Sequence, residues 1–187
     1  MRRRFGVSSL SCVPLVCSLL MPGAAPAGSP PRPVGEPDPC ALLTPQEIRS
    51  VQGEAVSETK SSRPERGRFA VTQCFFSLPT FSRSISLEVI RRDAARPAAV
   101  SPRDHWRDIF HPDSGKGDGE AGENEPGGPQ IVPGVGDEAF WTSDGVVGAL
   151  YVLKGDVYLR VSLGGPDDPA EKIRKSKILA LKALARL

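Results

Sequence analysis

The chain has few of the residues from which catalytic and metal sites are usually built, with two histidines and four cysteines among its 187 residues. No serine lies in a G-x-S-x-G turn, no two cysteines have C-x-x-C spacing, and neither histidine has an evident role beside a nucleophile. The sequence therefore contains no motif from which we would predict a catalytic residue, a bound cofactor or a metal ion.

An excess of charge of one sign is also lacking once the first 27 residues are set aside. They carry three arginines and no acid, so 21 basic and 22 acidic residues remain, a net charge near −1. Balanced charge gives no electrostatic reason to expect nucleic acid or an anionic membrane as a partner. The apolar run Phe5 to Met21 is too short and too serine-rich for a membrane span. We expect no nucleic-acid partner and no transmembrane segment in the mature chain.

The first 27 residues have the order of a secretory signal peptide. Residues 2–4 are arginines, the apolar run follows, and the Ala-Pro-Ala segment 25–27 has small residues where signal peptidase reads them. We predict cleavage after Ala27 and a periplasmic or secreted protein. Cys12 and Cys17 fit a lipobox poorly, so a lipoprotein is the weaker alternative. The arginines also match a twin-arginine signal in part, which leaves the export route open.

Two cysteines, Cys40 and Cys74, remain after cleavage. An even pair in an oxidising compartment predicts one disulfide, with two reduced and buried cysteines as the alternative. In the chain-entropy model, closing a loop of this length stabilises the fold by roughly 3–4 kcal/mol. We expect this disulfide to attach the first helix to the strand that carries Cys74.

The mature chain reads as one domain behind a short leader. Residues 28–39 hold five prolines and predict an extended, proline-rich leader. Residues 40–187 have the length of a single domain. Within it, residues 112–136 are dominated by Gly, Pro, Asp and Glu without an apolar period, so we expect a long loop at the surface.

Three helices are predicted from their N-terminal signals. The TPQE segment 44–47 has the capping hydroxyl, proline and glutamate that begin a helix, which should end at Gly53. A second helix begins at Ser101, and a third begins at Asp168 and runs to the chain end. The predicted apolar faces are Trp106, Ile109 and Phe110 in the second helix, and Ile173, Ala180, Leu181, Leu184 and Leu187 in the third.

Alternating apolar residues predict strands at 69–78 and 84–90, whereas residues 54–68 predict a loop apart from a short strand near residue 56. The clearest hairpin has strands 146–153 and 157–163, and its turn at 155–156 would place Leu150 opposite Val161 and Val152 opposite Leu159. Short connections favour antiparallel pairing. The predicted fold class is therefore α+β, a mostly antiparallel sheet packed against helices in a single domain.

Two segments contain residue types that bind metals, and in neither does the spacing fit. In the second helix the histidines are six residues apart, whereas zinc-binding helices favour three or four. The acidic loop matches neither the EF-hand pattern nor the nonapeptide of calcium-binding β-rolls. We interpret these segments as a charge-paired helix and a flexible surface loop. The residues are Asp104, His105, Asp108, His111 and Asp113 in the first segment, and Asp113, Asp118, Glu120, Glu123 and Glu125 in the second.

The GVGD segment 134–137 is not a dinucleotide site, because it precedes a strand and no helix N-terminus would face a phosphate. We interpret it as a tight turn into the strand at 140–141. Trp106 and Trp141 could line an aromatic binding surface, but large aromatic residues dominate cores of this size, and we predict that both are buried.

Three features together resemble a group of small exported bacterial proteins, lipoprotein-like domains of unknown function best known from actinobacteria. The features are DPCALLTP at 38–45, a cysteine in the next strand, and VPGVGDEA at 132–139. The resemblance implies a paired cysteine and an α+β sandwich, and it implies no activity. The chain differs from lipidated members in lacking a lipobox and in carrying the loop at 112–130.

These observations favour an exported, non-enzymatic module that binds a partner protein, an envelope component or a small ligand. The alternative is an extracytoplasmic enzyme whose site is assembled from distant segments. An enzyme should show a cleft with convergent polar groups and displaced pKa values. A binding module should show a groove or an exposed apolar patch.

Overall fold

A computed structural model of the chain describes residues 38–64, 67–96, 100–112, 128–143 and 147–187. They form a seven-stranded antiparallel sheet with helices packed against it. The fold is therefore α+β in a single compact domain, as predicted. The signal peptide, most of the leader and the acidic loop residues of the calcium hypothesis lie outside the described residues, so those expectations stay predictions.

The sheet consists of two antiparallel meanders joined at its centre. The strand order is β1-β2-β3-β7-β6-β5-β4. β3 is the last strand of the first meander and pairs with β7, the last strand of the second. The first meander contains β1 (Glu58–Ser62), β2 (Phe69–Ser77) and β3 (Ile85–Arg92), and the second contains β4 (Gln130–Ile131), β5 (Glu138–Ser143), β6 (Gly148–Lys154) and β7 (Val157–Leu163).

Three helices complete the fold, and their caps follow the sequence signals. They are α1 (Pro45–Gln52), α2 (Pro102–Phe110) and α3 (Pro169–Leu184). In α1, Thr44 Oγ1 accepts from the Glu47 N–H at 3.2 Å and the Glu47 carboxylate accepts from the Thr44 N–H at 2.9 Å. This reciprocal capping box, with Gly53 at the C-cap, confirms the predicted first helix. Ser101 and Asp168 cap α2 and α3 as predicted.

The main core lies between the inner face of the sheet and a layer of α1, α3 and the 3-10 helix Pro39–Leu42. The hairpin of β6 and β7 has the predicted register, with Leu150 opposite Val161 and Val152 opposite Leu159, and all four side chains are fully buried. Their burial removes four branched aliphatic side chains from water. The hairpin is therefore central to the domain.

The outer face of the sheet is covered only in part. Trp106 of α2 packs there with Phe110, Phe140 and Tyr158, at ring-centroid distances of 4.4 to 5.9 Å. These rings form a second, smaller core over one half of the face. None of α1, α2 and α3 covers the other half, where Phe75, Ser86 and Ser162 point outward.

Two loop predictions were wrong, and both errors fall at the edges of the sheet. Residues 54–68 contain β1 at Glu58–Ser62, beyond the short strand expected near residue 56. The expected loop at 112–136 contains β4, and Val132 beside it is buried. Both edge strands expose most of their side chains, so polar residues can occupy either face of the strand. The alternation of apolar and polar residues that predicts a strand is therefore missing from their sequences. Pairing with β2 and β5 supplies the order that the pattern did not show.

Two predicted helix faces were partly wrong. Ile109 of α2 is 44% exposed, because this short helix meets the sheet through the row of Trp106 and Phe110. Leu181 of α3 is 45% exposed. Instead α3 turns a face of mostly small residues towards the sheet, which permits a closer approach than the larger side chains would. The fully buried residues of α3 are Ser176, Leu179, Ala180 and Ala183, with Ile173, Leu184 and Leu187 partly buried beside them.

Candidate functional site

The open half of the outer sheet face holds a groove of about 630 Å³, which we call the outer groove. Phe75, Ser86 and Ser162 form its floor, contributed by three adjacent strands. Its walls are the segment 80–84, the segment 163–166 at the end of β7, and two side chains, Val147 and Lys172. A second pocket of about 340 Å³ adjoins it at Val147 and extends to Arg160.

Small residues at paired positions give the outer groove its depth. Ser86 lies directly opposite Ser162 across β3 and β7, and Phe75 lies opposite Ser86 across β2 and β3. Two short side chains side by side leave a depression in the sheet surface. At the end of β7, a Cβ on Gly164 would come within 1.9 Å of the Ser82 carbonyl oxygen. Glycine is therefore required at this position for the 80–84 wall to approach the sheet.

The 80–84 wall is attached to α1 by polar contacts. Buried Gln52 donates through Nε2 to the carbonyl oxygens of Arg83 at 2.6 Å and Gly164 at 3.2 Å. Glu54 accepts from the Thr80 N–H at 2.9 Å and pairs with Arg83 Nη1 at 3.4 Å. The Thr80 N–H, followed by the Arg83 charge, holds the pKa of Glu54 below its usual range. Both walls of the groove are thereby joined to the same helix.

A buried ion pair lies along the side of the outer groove that faces α2. Glu88 is 3% exposed and lies 3.6 Å from Arg160 Nη1, and it also accepts from Gln73 Nε2 at 3.4 Å. Arg160 Nε donates to the Tyr151 hydroxyl at 3.1 Å, and its guanidinium lies over that ring. The two charges compensate each other, so we assign them a structural role.

The structure does not bring the two histidines together. His105 packs on Phe69 at a ring distance of 4.9 Å. His111 Nε2 lies 2.8 Å from Glu138 Oε1, and the other oxygen of Glu138 accepts from Trp106 Nε1 at 2.5 Å. Among the residues that the structure describes, no group of three potential ligands is placed to hold a metal ion. Asp104 pairs with Arg107 at 2.8 Å, while Asp113 lies outside the described residues.

The GVGD segment forms the tight turn into β5 that the sequence predicts. Gly136 has a φ of 65°, and a Cβ there would lie 2.4 Å from the Leu153 carbonyl oxygen. Asp137 accepts from the Gly155 N–H at 2.8 Å, from Lys154 Nζ at 2.9 Å and from Arg103 Nη2 at 3.0 Å. These donors, Gly155 first, lower the pKa of Asp137. The segment therefore stabilises the β6–β7 hairpin turn.

The remaining predicted residues are structural. Trp106 and Trp141 are 2% and 4% exposed, which confirms that both belong to the core. Cys40 and Cys74 form a disulfide with a Cα–Cα distance of 5.1 Å, which attaches the 3-10 helix to β2. None of the described helices is long and apolar enough to cross a membrane.

Sequence reasoning missed the outer groove. The available signal was a pair of serines, Ser86 and Ser162, at outward positions of strands whose neighbouring inward positions are apolar. Their pairing required knowledge that β3 and β7 are neighbours. No family model matches the chain, and neither the curated proteins nor the solved structures contain a match.

Proposed function

We propose that the protein is an exported, non-enzymatic binding module and that the outer groove is its ligand site. The observation that carries the proposal is an open groove with hydroxyl groups on its floor and apolar side chains at its rim. Val147 of the lining is 52% exposed, and beside the lining Phe81, 74% exposed, has its ring centroid 6.0 Å from that of Phe75. Large apolar side chains at the rim of a concave site are typical of ligand recognition.

The chemistry of the lining favours binding over catalysis. Serine, threonine, glycine and apolar residues dominate the described lining, in which the charged side chains, Arg83 and Lys172, are cations. The described carboxyl groups with lowered pKa values lie in a helix cap, a helix first turn, the hairpin turn and ion pairs. The arrangement supplies hydrogen bonds and apolar contacts, whereas the alternative enzyme needs an acid–base pair in a cleft.

A fragment screen by amide NMR tests the outer groove as the ligand site. We expect shifts from binding fragments to cluster at Ser86, Ser162 and Gly164. Val147→Trp should abolish them, because the added ring fills the groove from a side chain that is 52% exposed. Leu181→Trp is the matched control, 45% exposed on α3 at the opposite face of the sheet. Shifts that cluster elsewhere, or that persist in Val147→Trp, would contradict the proposal.

Export is supported by the signal-peptide pattern at 1–27 and by the disulfide, which suits an oxidising compartment. The intact mass of the protein recovered from outside the cytoplasm tests this. We expect a mature chain that begins at Gly28 and carries no lipid. A chain that begins at acylated Cys17, or that retains residues 1–27, would contradict the predicted processing.

A further inference from the structure

We propose that the outer groove binds a small organic anion, with its oxyanion group at Lys172 and Arg83 and its apolar part against Phe75 and Val147. This inference rests on the proposed function of the groove and names the chemical class of its ligand. A carboxylate and a phosphate ester share the chemistry that such a site would recognise, which is a compact oxyanion attached to an apolar group.

The first argument is an unpaired cation in the groove. Within the described part of the chain, the Lys172 side chain has no hydrogen bond or ion pair, although it is half-buried in the wall. Its neighbours on α3 are paired, Arg174 with Glu171 at 2.6 Å and Lys175 with Asp167 at 2.7 Å. A partly buried ammonium without a counter-ion attracts an anion more strongly than a fully solvated one.

Arg83 supplies a second cation with spare donors. Its contacts with Glu54 and the Gln52 carbonyl both use Nη1, at 3.4 and 3.3 Å. Nε and Nη2 therefore have no partner within the described ranges. Among the described residues that line the groove, none carries a carboxylate that could compete for them. A guanidinium fixed at one nitrogen and open at the others suits a planar or tetrahedral oxyanion.

The hydroxyl groups of the groove add donors of the same kind. Ser86 Oγ accepts from Gln73 Nε2 at 2.9 Å, and Ser84 Oγ accepts from the Leu78 N–H at 3.2 Å. A hydroxyl that accepts one bond still has its own proton to donate. The polar side of the groove is therefore rich in donors, which is the complement of carboxylate or phosphate oxygens.

The apolar side and the size limit the rest of the ligand. Phe75 is half-buried in the floor, with its ring centroid 6.0 Å from that of exposed Phe81. Val147 adds an apolar side chain to the rim. The groove volume of about 630 Å³ is in the range of small-molecule sites. A ring or short aliphatic chain that carries one anionic group fits these features.

Matched probes test the proposal by NMR titration of the exported protein. The probes are 3-phenylpropionate, its neutral analogue 3-phenylpropionamide, and phenyl phosphate, so that charge and the type of oxyanion are varied separately. We expect the carboxylate or the phosphate ester to bind about tenfold more tightly than the amide, the effect of a charge-assisted hydrogen bond. The anion with the higher affinity shows whether the groove prefers a carboxylate or a phosphate ester.

Two lysine variants on the same helix separate local from general charge effects. Lys172→Met should weaken binding of the tighter anion by about tenfold and leave the amide unchanged. Lys177→Met is the control, because this lysine contacts the Pro133 carbonyl outside the groove. Equal affinity for acid and amide, or no effect of Lys172→Met, would overturn the anion proposal even if fragments still map to the groove. Absence of any shift in the groove with every probe and fragment would overturn both proposals.

Discussion

Glu47 joins the first and last helices of the domain, and its ionisation should set the acid sensitivity of the fold. Its carboxylate accepts from Arg186 Nη1 at 2.9 Å and Nη2 at 2.8 Å, and it lies 3.4 Å from Lys182 Nζ. The same group accepts from the Thr44 N–H in the capping box. The Arg186 hydrogen bonds, more than any other contact, lower the pKa of Glu47 from 4.5 to about 2.

The direction of the pH effect follows from this pKa. A carboxyl group whose pKa is lower in the folded state stabilises the fold above its unfolded pKa, near 4.5, and loses that contribution as the pH falls through about 2. The full difference would correspond to about 3 kcal/mol. Arg186 is 38% exposed, so solvent screening reduces this contribution to the free energy of unfolding. We expect about 1–2 kcal/mol near neutral pH.

Urea unfolding of Glu47→Gln at several pH values tests this reasoning. Glutamine still serves a capping box, so the substitution removes mainly the charge. We expect the variant to be less stable than the native protein by about 1–2 kcal/mol at neutral pH, and the difference to vanish near pH 2. Glu58→Gln, at an exposed carboxylate of β1, is the control and should change little. A difference that is the same at pH 7 and pH 2 would refute the role of the charge.

Three further predictions concern the core, all measured by chemical unfolding. Ser176 is fully buried, and its hydroxyl has no hydrogen-bond partner in the described structure. Ser176→Ala should therefore stabilise the fold. The gain should exceed by about 1 kcal/mol that of the reference variant Ser50→Ala, which measures the helix propensity of the same substitution at an exposed position. A loss of stability would show that the hydroxyl is satisfied. Leu179→Ala should cost about 2–4 kcal/mol, and Leu184→Ala, at a partly buried position, should cost less; the reverse order would contradict the packing of α3. Reduction of the disulfide should cost roughly 3–4 kcal/mol, and thiol labelling of the denatured, unreduced protein should find no free cysteine.

The parts of the fold that the sequence predicts well depend on local signals. The capping box at Thr44 acts within four residues, and the turn at 155–156 sets the hairpin register by itself. The edge strands escaped prediction because their order comes from a neighbouring strand. For α3, periodicity correctly indicated a helix and part of its buried face, but the large Leu181 is exposed, whereas the small Ser176 and Ala183 are buried.

The outer groove could not be predicted for a different reason. Its two wall segments, 80–84 and 163–166, are far apart in the chain, and Gln52 joins them from 31 and 112 residues away. Each segment alone reads as a turn or a helix start. Only the pairing of β3 with β7 places Ser86 beside Ser162 and makes a site from ordinary residues.

The central pairing of β3 with β7 also has a consequence for incomplete chains. When the chain emerges N-terminus first, the whole first meander, with Cys40 and Cys74, is available before β7. The disulfide can therefore form before β3 pairs with β7. Until then β3, whose Ile85, Leu87, Val89 and Ile90 are buried in the finished fold, has one unpaired edge. An unpaired strand edge beside exposed apolar side chains promotes pairing between molecules. We therefore expect a chain that stops short of β7 to aggregate with its disulfide intact, and not to persist as a smaller folded domain.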